Sequence, residues 1–422
     1  MENDENLRQL HQILEYAQKN VPFFKSKIDH VINNKTNINC CEILKKLPIL
    51  KKEDYYSNQN LMLSKEYLLN ELCIEKTSGS SGQPFTIYKT ETDKLRQLKE
   101  SWKFRNQYYG IKPNDRFCRF TYSKKTENNK HTVIKNNILY LNALEMSDTI
   151  MDEFTIEINN FKPVWFFTTP STIYYYLNHL KNNKKSIPLE HQFSFIELTG
   201  EKVSQYIKQD IEKYFQCSVG NNYGTTETYP IAMECPCGHL HVIDNNIYIE
   251  VVDDNLELIA DEELQNGNIV VTSYNNTAMP FIRYWLGDKV TYIKNFKCPC
   301  GNTSPILELN NVRFTDKIKL KDHRLISPVF FCILIDEICS KYNCCVFQFQ
   351  VIQKTYEIFD MKIAIKDTEQ KHQLVKDLQN KTLRFLKEKV CHNATLNISI
   401  ESKSSLKPNS FTGKLTYFKS LI

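Results

Sequence analysis

Hydrophobic positions in the first part of the chain recur every three or four residues, and this spacing predicts helices. Leu10, Leu14 and Ala17 fall on one helical face, and Pro22 then fits a helix end. From about residue 72 the pattern changes to short β-branched runs such as FTIYK, VWFFTT, FSFIELTG, IYIEVV and GNIVVTSY. Helical stretches at 91–108, 171–183 and 202–215 separate several of these runs. The alternation predicts an α/β fold with much parallel sheet.

A new series of predicted strands and helices begins beyond residue 313. Two strand-like runs, VFQFQVIQ and EIFDMKIAIK, precede a polar helix predicted at about 368–389 and a further strand, ATLNISIES. We therefore predict a large N-terminal domain over residues 1–312, which opens with a helical segment at 1–70. A small α+β domain over residues 313–422 follows it.

Composition and charge exclude several classes of protein. The chain has 54 Lys and Arg against 49 Asp and Glu, a net charge of +5 without a basic block, so no nucleic acid partner is expected. No segment approaches the length of apolar sequence that spans a membrane, and the first residues lack the apolar run of a signal peptide. Fourteen Cys in such a chain indicate reduced thiols and a cytoplasmic location.

Residues 77–84, TSGSSGQP, combine glycines with hydroxyl side chains. Glycine allows backbone N–H groups to converge on a phosphate, and hydroxyls add neutral donors. The octet taken alone fits a flexible connector equally well. It is no Walker A loop, because the glycine spacing differs and the lysine of that motif is absent.

Four further motifs follow in order, namely LTGEKVS at 198–204, NNYGTTET at 221–228, MPFIRYWLGD at 279–288 and SLKPNSFTGKLTYF at 405–418. Together with TSGSSGQP they resemble the motifs of the adenylate-forming superfamily. VPFFKSK, LPILKKEDYY and the paired ECPCG and CPCG are similar to the branch of phenylacetate-CoA ligase and the CapK proteins. The resemblance implies an adenylation domain and a mobile C-terminal domain that carries the catalytic lysine.

The resemblance also implies roles for individual residues. Lys414 would bridge the carboxylate and the α-phosphate, Glu227 would hold Mg²⁺ and Thr226 would bind the α-phosphate. Asp288 and Arg313 would contact ribose, although each polar residue taken singly fits an ordinary surface position as well. The full set implied for ATP is Thr77, Ser78, Gly79, Ser80, Ser81, Gly82, Gly200, Glu201, Asn222, Tyr223, Gly224, Thr225, Thr226, Asp288 and Arg313.

Two Cys-Pro-Cys-Gly knuckles, at 235–241 and 298–300, offer pairs of thiolates of the kind that a tetrahedral Zn²⁺ site uses. Buried reduced cysteines are the alternative reading. By resemblance the ligands are Cys235, His241, Cys298 and Cys300, with Cys237 and His239 as competitors. Four protein ligands leave no open position, so the zinc would be structural.

The resemblance implies an AMP-forming ligase that activates an aryl or other small carboxylic acid with ATP and Mg²⁺ and transfers it to CoA. One alternative acceptor is an amine, a hydroxyl or a carrier-protein thiol, and an alternative of another class is an inactive nucleotide-binding protein. Three departures bear on this choice. Gln83 stands where the loop usually carries Lys, Trp285 stands where Arg is common, and the hinge after Arg313 lacks glycine and keeps one acid, Asp316.

Overall fold

The chain forms two compact units in the computed structural model. The first comprises Met1–Pro113 and Gly220–Asn311, and the second comprises Asn114–Val219 and Val312–Ile422. The predicted division between residues 312 and 313 lies outside the described residues and stays a prediction. The structure describes residues 4–32, 39–76, 86–121, 130–143, 146–182, 186–201, 205–260, 262–309, 318–322, 325–326, 329–342, 346–365, 369–401 and 417–422.

Amphipathic helices begin the first unit, as their spacing predicts. The first helix buries Leu10, Ile13 and Leu14. It ends at Asn20, and Pro22 begins the next helix, where a missing backbone N–H costs nothing. These elements are α1 (Asp4–Asn20), α2 (Pro22–Ile32), α3 (Cys40–Lys46), α4 (Lys52–Ser57), α5 (Gln59–Met62) and a 3-10 turn at Leu69–Glu71.

A hairpin and a long helix follow. Strands β1 (Cys73–Lys76) and β2 (Thr86–Lys89) pair in antiparallel fashion, with Cys73 opposite Lys89. Helix α6 (Glu91–Tyr109) starts with a capping box, in which Thr90 accepts a hydrogen bond from the backbone N–H of Asp93 and Asp93 accepts one from that of Thr90. The hairpin therefore flanks residues 77–85, and the capping box fixes the chain just beyond it.

The second unit contains the parallel sheet that the alternation predicts. Its strands lie in the order β7-β6-β3-β5-β4, and all pair in parallel except β4 with β5. Parallel strands bring their carboxyl ends to one edge of the sheet. The elements are β3 (Phe117–Thr121), β4 (Thr132–Lys135), β5 (Ile138–Asn142), α7 (Asp148–Phe161), β6 (Trp165–Thr168), α8 (Pro170–Asn182), β7 (Phe195–Thr199) and α9 (Gln205–Phe215).

The chain then returns to the first unit, where the strands are antiparallel. Their order is β11-β12-β13-β14-β10-β9-β8. The strands of this segment pair in antiparallel fashion because connections as short as residues 226–228 join only antiparallel neighbours. The strands are β8 (Ser218–Thr225), β9 (Tyr229–Glu234), β10 (Leu240–Val242), β11 (Ile247–Val252), β12 (Leu264–Ser273), β13 (Tyr284–Ile293) and β14 (Ile306–Leu309).

The end of the chain forms a small α+β module with its own sheet, in the order β19-β18-β17-β20. Leu374, Leu378 and Leu386 of its long helix are buried in the module's core. Among the described helices, none has the length and apolar character that crossing a bilayer requires. The elements are β15 (Ile318–Lys319), β16 (Leu325–Ile326), α10 (Val329–Tyr342), β17 (Val346–Gln353), β18 (Ile358–Ile365), α11 (Lys371–Lys389), β19 (Thr395–Ile400) and β20 (Phe418–Ser420). The α/β class, with a large multi-stranded sheet and a smaller C-terminal sheet, is confirmed.

Candidate active site and metal cluster

The motif NNYGTTET occupies the end of β8 and the turn into β9. The register of the two strands shifts between Tyr223 and Gly224. A Cβ atom at Gly224 would lie 2.3 Å from the carbonyl oxygen of Tyr229, so only glycine allows this close approach. Thr225 and Thr228 close the turn, with their hydroxyl oxygens 3.1 Å apart. The irregular strand end therefore presents Thr226 and Glu227 on a tight turn.

Two carboxylates from separate motifs are buried in this unit, and each accepts a hydrogen bond from a tyrosine. Glu227 is 5% exposed and accepts from the hydroxyl of Tyr284 at 2.9 Å. Asp288, at 7% exposure, accepts from the hydroxyl of Tyr223 at 2.7 Å. Tyr284 and Asp288 both belong to β13, and Tyr223 belongs to β8. Each motif thus orients the acidic side chain of the other.

The start of β13 is held by a buried ion pair. Arg283 has a left-handed φ of 48°, and its guanidinium lies 3.0 Å from the carboxylate of Glu250. The same side chain donates to the carbonyl oxygens of Lys45 and Leu47 at 3.0 and 2.6 Å. Hydrogen bonds to a charged group are stronger than neutral ones. This anchor fixes the segment that delivers Tyr284 and Asp288.

A second buried cation, Lys89, contacts the Thr226 turn. The Lys89 side chain, at the end of β2, is fully buried, and its Nζ donates to the carbonyl oxygen of Thr226 at 2.7 Å. Nζ also lies 3.4 Å from Oε2 of Glu75 and 3.3 Å from the centre of the Tyr229 ring. The Tyr229 hydroxyl donates to Glu75. Burial lowers the pKa of Lys89 to about 8 against the attraction of Glu75.

Asn222 and Asn221 connect the turn to the far end of the β8–β9 hairpin. Asn222 is buried and pairs with Met233. The backbone N–H of Asn221 donates to the carboxylate of Glu234 at 2.9 Å. Glu234 is the last residue of β9 and directly precedes Cys235. The hairpin therefore links the NNYGTTET motif to the cysteine knuckles.

The predicted adenine-side residues lie in the second unit. Gly200 follows β7 with a φ of 80°, which favours glycine. The carboxylate of Glu201 accepts hydrogen bonds from the backbone N–H and the hydroxyl of Ser171, at 3.0 and 2.9 Å. Ser171 stands at the start of α8, where a negative charge is favourable. Glu201 thus caps this helix in the structure.

The remaining predicted site residues fall outside the described part of the chain. They are Lys414, Arg313 and the phosphate-loop residues Thr77, Ser78, Gly79, Ser80, Ser81 and Gly82. Gln83 and Asp316 lie outside it too. The roles of all these residues stay predictions.

The four predicted metal ligands come together. One ligand atom each from Cys235, His241, Cys298 and Cys300 lies within 4.8 Å of the others. The Sγ atoms of Cys235 and Cys298 are 3.7 Å apart, and Sγ of Cys300 is 3.4 Å from Nε2 of His241. The knuckle turns close with hydrogen bonds from Gly238 and Gly301, both at positive φ.

Geometry and donor chemistry fit a zinc ion. A tetrahedral site with Zn–S bonds of about 2.3 Å has sulfurs ~3.8 Å apart, close to the Cys235–Cys298 separation. Nδ1 of His241 donates to the carbonyl oxygen of Ser304 at 3.1 Å, which leaves Nε2 free to bind metal. Among the competitors, Cys237 is exposed, while Nδ1 of His239 lies 3.4 Å from Sγ of Cys298.

The sequence alone did not predict several residues of the site. Tyr284 lies inside the quoted motif RYWLGD, but nothing in the sequence predicts that its hydroxyl meets Glu227. Lys89, Glu75 and Tyr229 come from three strands, and their contacts depend on the tertiary fold. One signal was present, since Lys89 ends the alternating strand FTIYK on its inward face.

Comparison with known proteins agrees with the motifs. The model of the family described as AMP-binding enzyme matches residues 8–279. The chain belongs to this family of AMP-binding enzymes. Protein CapK of Staphylococcus aureus is 24% identical over 291 residues, which are 65% of this chain and 60% of CapK. Phenylacetate-coenzyme A ligase of Thermus thermophilus is 22% identical over 308 residues, 70% of this chain and 66% of the ligase. The predicted superfamily and branch are confirmed.

Both matches span less than two thirds of the relative's length. A solved structure of 2-hydroxyisobutyryl-CoA ligase, in the postadenylation state with R3-HIB-AMP, has a TM-score of 0.71 at 15% identity. The similarity covers 98% of this chain and 88% of that one. At this level of identity the match establishes a common fold, that of an adenylate-forming ligase.

Proposed function

We propose that the protein is an ATP-dependent, AMP-forming ligase that converts a carboxylic acid to its acyl-adenylate. The observation that carries this proposal is the pairing of Glu227 with Tyr284 and of Asp288 with Tyr223. Two family motifs thereby orient one acid each in the same unit. An enzyme of this class needs oriented charges more than a nucleophile, because its transition state gathers negative charge on phosphate.

The roles follow from the chemistry of each group. Glu227 would hold Mg²⁺, a hard cation that prefers carboxylate oxygen, and Asp288 would accept hydrogen bonds from the ribose hydroxyls. Thr226 would bind the α-phosphate, and the phosphate loop at 77–82 would cradle the outer phosphates. Lys414 would neutralise the developing charge between the acid and the α-phosphate. Asn222, Tyr223, Gly224 and Thr225 would bind the nucleotide alongside Thr226. Gly200 and Glu201 would form the adenine-side turn.

The acyl acceptor we propose is CoA, and the acid is aryl or otherwise small. The names of the Thermus ligase and of the 2-hydroxyisobutyryl-CoA ligase support CoA. An amine, a hydroxyl or a carrier-protein thiol is the alternative acceptor, consistent with the altered hinge sequence after Arg313.

We further propose that Cys235, His241, Cys298 and Cys300 hold a structural Zn²⁺. The approach of the four ligand atoms supports this assignment. A site with four protein ligands stabilises the fold and leaves no position for a reacting water. A reducing cytoplasm would keep the thiols available for the metal.

Product analysis tests the reaction. The protein is incubated with MgATP and a panel of aryl and small aliphatic acids, with and without CoA, and the products are identified by mass spectrometry. We expect acyl-adenylate and pyrophosphate without CoA, and an acyl-CoA thioester with AMP when CoA is present. An adenylate that persists in excess CoA would refute the CoA assignment while leaving adenylation intact.

A further inference from the structure

We propose that Lys89 is a positioning residue for adenylate formation, whose ammonium group fixes the turn of Thr226 and Glu227 to the hairpin that flanks the phosphate loop. This inference rests on the proposed function. No sequence motif assigns Lys89 a role, and the residue reaches the turn through the backbone of Thr226 alone. It therefore acts through neighbouring groups and does not itself meet the reacting atoms.

The contacts of Lys89 join the elements that meet at the turn. Nζ donates to the carbonyl oxygen of Thr226 at 2.7 Å, so it holds the backbone of the residue that precedes Glu227. Glu75 of β1 lies 3.4 Å away, and the ring of Tyr229, the first residue of β9, covers the ammonium group at 3.3 Å. Because Tyr229 also donates to Glu75, the contacts form a closed set.

Because Lys89 is buried, its contacts are sensitive to any displacement of the Thr226 turn. A fully buried ammonium group loses its hydration, and each donor that it leaves unpaired carries a large penalty. An aromatic face and a carboxylate recover part of this cost. Any displacement of the turn would break the bond to Thr226 without offering water as a substitute. The turn is thus held in one orientation before ATP arrives, which reduces reorganisation during the reaction.

The charged groups that face Lys89 come from each element around it. They are Glu75 on β1, Asp93 at the start of α6 and Glu227 in the turn, while the neutral, titratable Tyr229 on β9 faces Lys89 with its ring. Asp93 is already satisfied by the backbone N–H and hydroxyl of Thr277, at 3.1 and 2.9 Å. The Lys89 cation offsets the repulsion between Glu75 and Glu227. This matters in a chain whose phosphate loop carries Gln83 instead of lysine.

The charge on Lys89 gives the proposal a pH signature. Burial lowers the pKa of Lys89 to about 8, while Glu75, Glu227 and Asp93 oppose the shift. The cation is therefore present below about pH 8 and lost above it. Loss of the proton weakens the hold on Thr226, so the rate of adenylation should fall as pH rises from 7 to 9.5. Removing the negative charge of Glu75 should move this fall to lower pH.

The test compares acid-dependent exchange of pyrophosphate into ATP across this pH range. We expect Lys89→Met to lower kcat at least tenfold at pH 7.5, to change KM for the acid less than twofold, and to abolish the alkaline decline. Glu75→Gln, which is nearly isosteric, should shift the alkaline decline of the exchange rate downward by half a pH unit or more. The matched control is Lys99→Met, on the exposed face of α6, and thermal unfolding checks that each variant folds.

Full exchange by folded Lys89→Met would overturn the proposal. So would a decline that is identical in the wild type and Glu75→Gln. If Lys89→Met does not fold, the Glu75→Gln profile decides alone. A wild-type chain without exchange would overturn the proposed function as well, whereas wild-type exchange with unchanged variants overturns only the role of Lys89.

Discussion

Tyrosine hydroxyls orient two of the buried carboxylates of the first unit, Glu227 and Asp288. The hydrogen bond from Tyr284 to Glu227 joins two motifs directly, at 2.9 Å. A hydrogen bond to a buried carboxylate contributes about 1.5–3 kcal/mol. Glu227 therefore approaches its proposed Mg²⁺ from a fixed direction.

Replacing Tyr284 with Phe removes this bond and keeps the ring that packs edge-on against Tyr55. We expect exchange of pyrophosphate into ATP to fall about ten- to hundredfold, since 1.4 kcal/mol corresponds to a factor of ten. The Mg²⁺ concentration for half-maximal rate should rise as well. Tyr56→Phe, at a residue 52% exposed, is the control. Equal rates for the two variants would argue against a role for the Tyr284 hydroxyl.

Gly224 is the other residue whose identity the structure explains. The Cβ atom of an alanine there would overlap the carbonyl of Tyr229 at 2.3 Å, so the β8–β9 turn would have to move. We expect Gly224→Ala to lower the free energy of unfolding by about 1–3 kcal/mol and to abolish exchange. Urea denaturation and exchange rates measure the two effects.

The variant Gly110→Ala distinguishes the effect of a steric clash from the effect of backbone strain. Gly110 has a φ of 67°, and a Cβ atom added there would meet open space. Alanine at this position therefore costs roughly 1–2 kcal/mol for the left-handed conformation alone. This variant should remain active. Loss of exchange in Gly110→Ala to the same degree as in Gly224→Ala would show that general destabilisation explains both.

At the scale of elements, the β8–β9 hairpin connects the NNYGTTET motif to the cluster of Cys235, His241, Cys298 and Cys300. Glu234, at its end, accepts from the backbone of Asn221 and offers its carbonyl to the Tyr109 hydroxyl of α6 at 2.6 Å. Cys235 begins the first knuckle immediately afterwards. A metal that fixes Cys235 would thus stiffen β9, the strand that begins after the Thr226 turn.

We expect about one zinc per chain in protein purified without chelators, measured by plasma mass spectrometry. Cys300→Ser should lose zinc and unfold at a lower temperature, because structural zinc contributes directly to folding. Cys237→Ser should keep the metal, since the Cys237 side chain is exposed. His241→Ala should lose zinc, and His239→Ala should retain it. A chain free of zinc, or a loss confined to His239→Ala, would contradict the proposed ligand set.

Local patterns predicted most elements because each depends on near neighbours. The run IYIEVV became β11 with the same bounds, and the polar helix predicted at 368–389 became α11. The two knuckles also predicted that their cysteines come together, because two pairs of thiolates are typical of one shared metal site. The ion pair of Arg283 with Glu250, and the burial of Lys89, join residues far apart in sequence. No periodicity carries such information.

For the whole molecule, alternation of strands and helices predicted the class but not which of the strands pair in parallel. The second unit fits the prediction, with helices α7, α8 and α9 between or after its parallel strands. The returning segment from β8 to β14 consists of strands joined by short connections, which are antiparallel by necessity. A strand that is buried on both faces has the same hydrophobic pattern in a parallel and in an antiparallel sheet. The length of the connection between strands is therefore what distinguishes the two arrangements.

The central claim is that the chain adenylates a carboxylic acid, and acid-dependent exchange of labelled pyrophosphate into ATP tests it most directly. Wild-type protein, Lys414→Ala and the control Lys419→Ala, on the exposed side of β20, are assayed with a panel of aryl and small aliphatic acids. We expect exchange with at least one acid, retained in Lys419→Ala and reduced at least a hundredfold in Lys414→Ala without loss of fold. Absence of exchange across the panel, or full exchange in Lys414→Ala, would contradict the account.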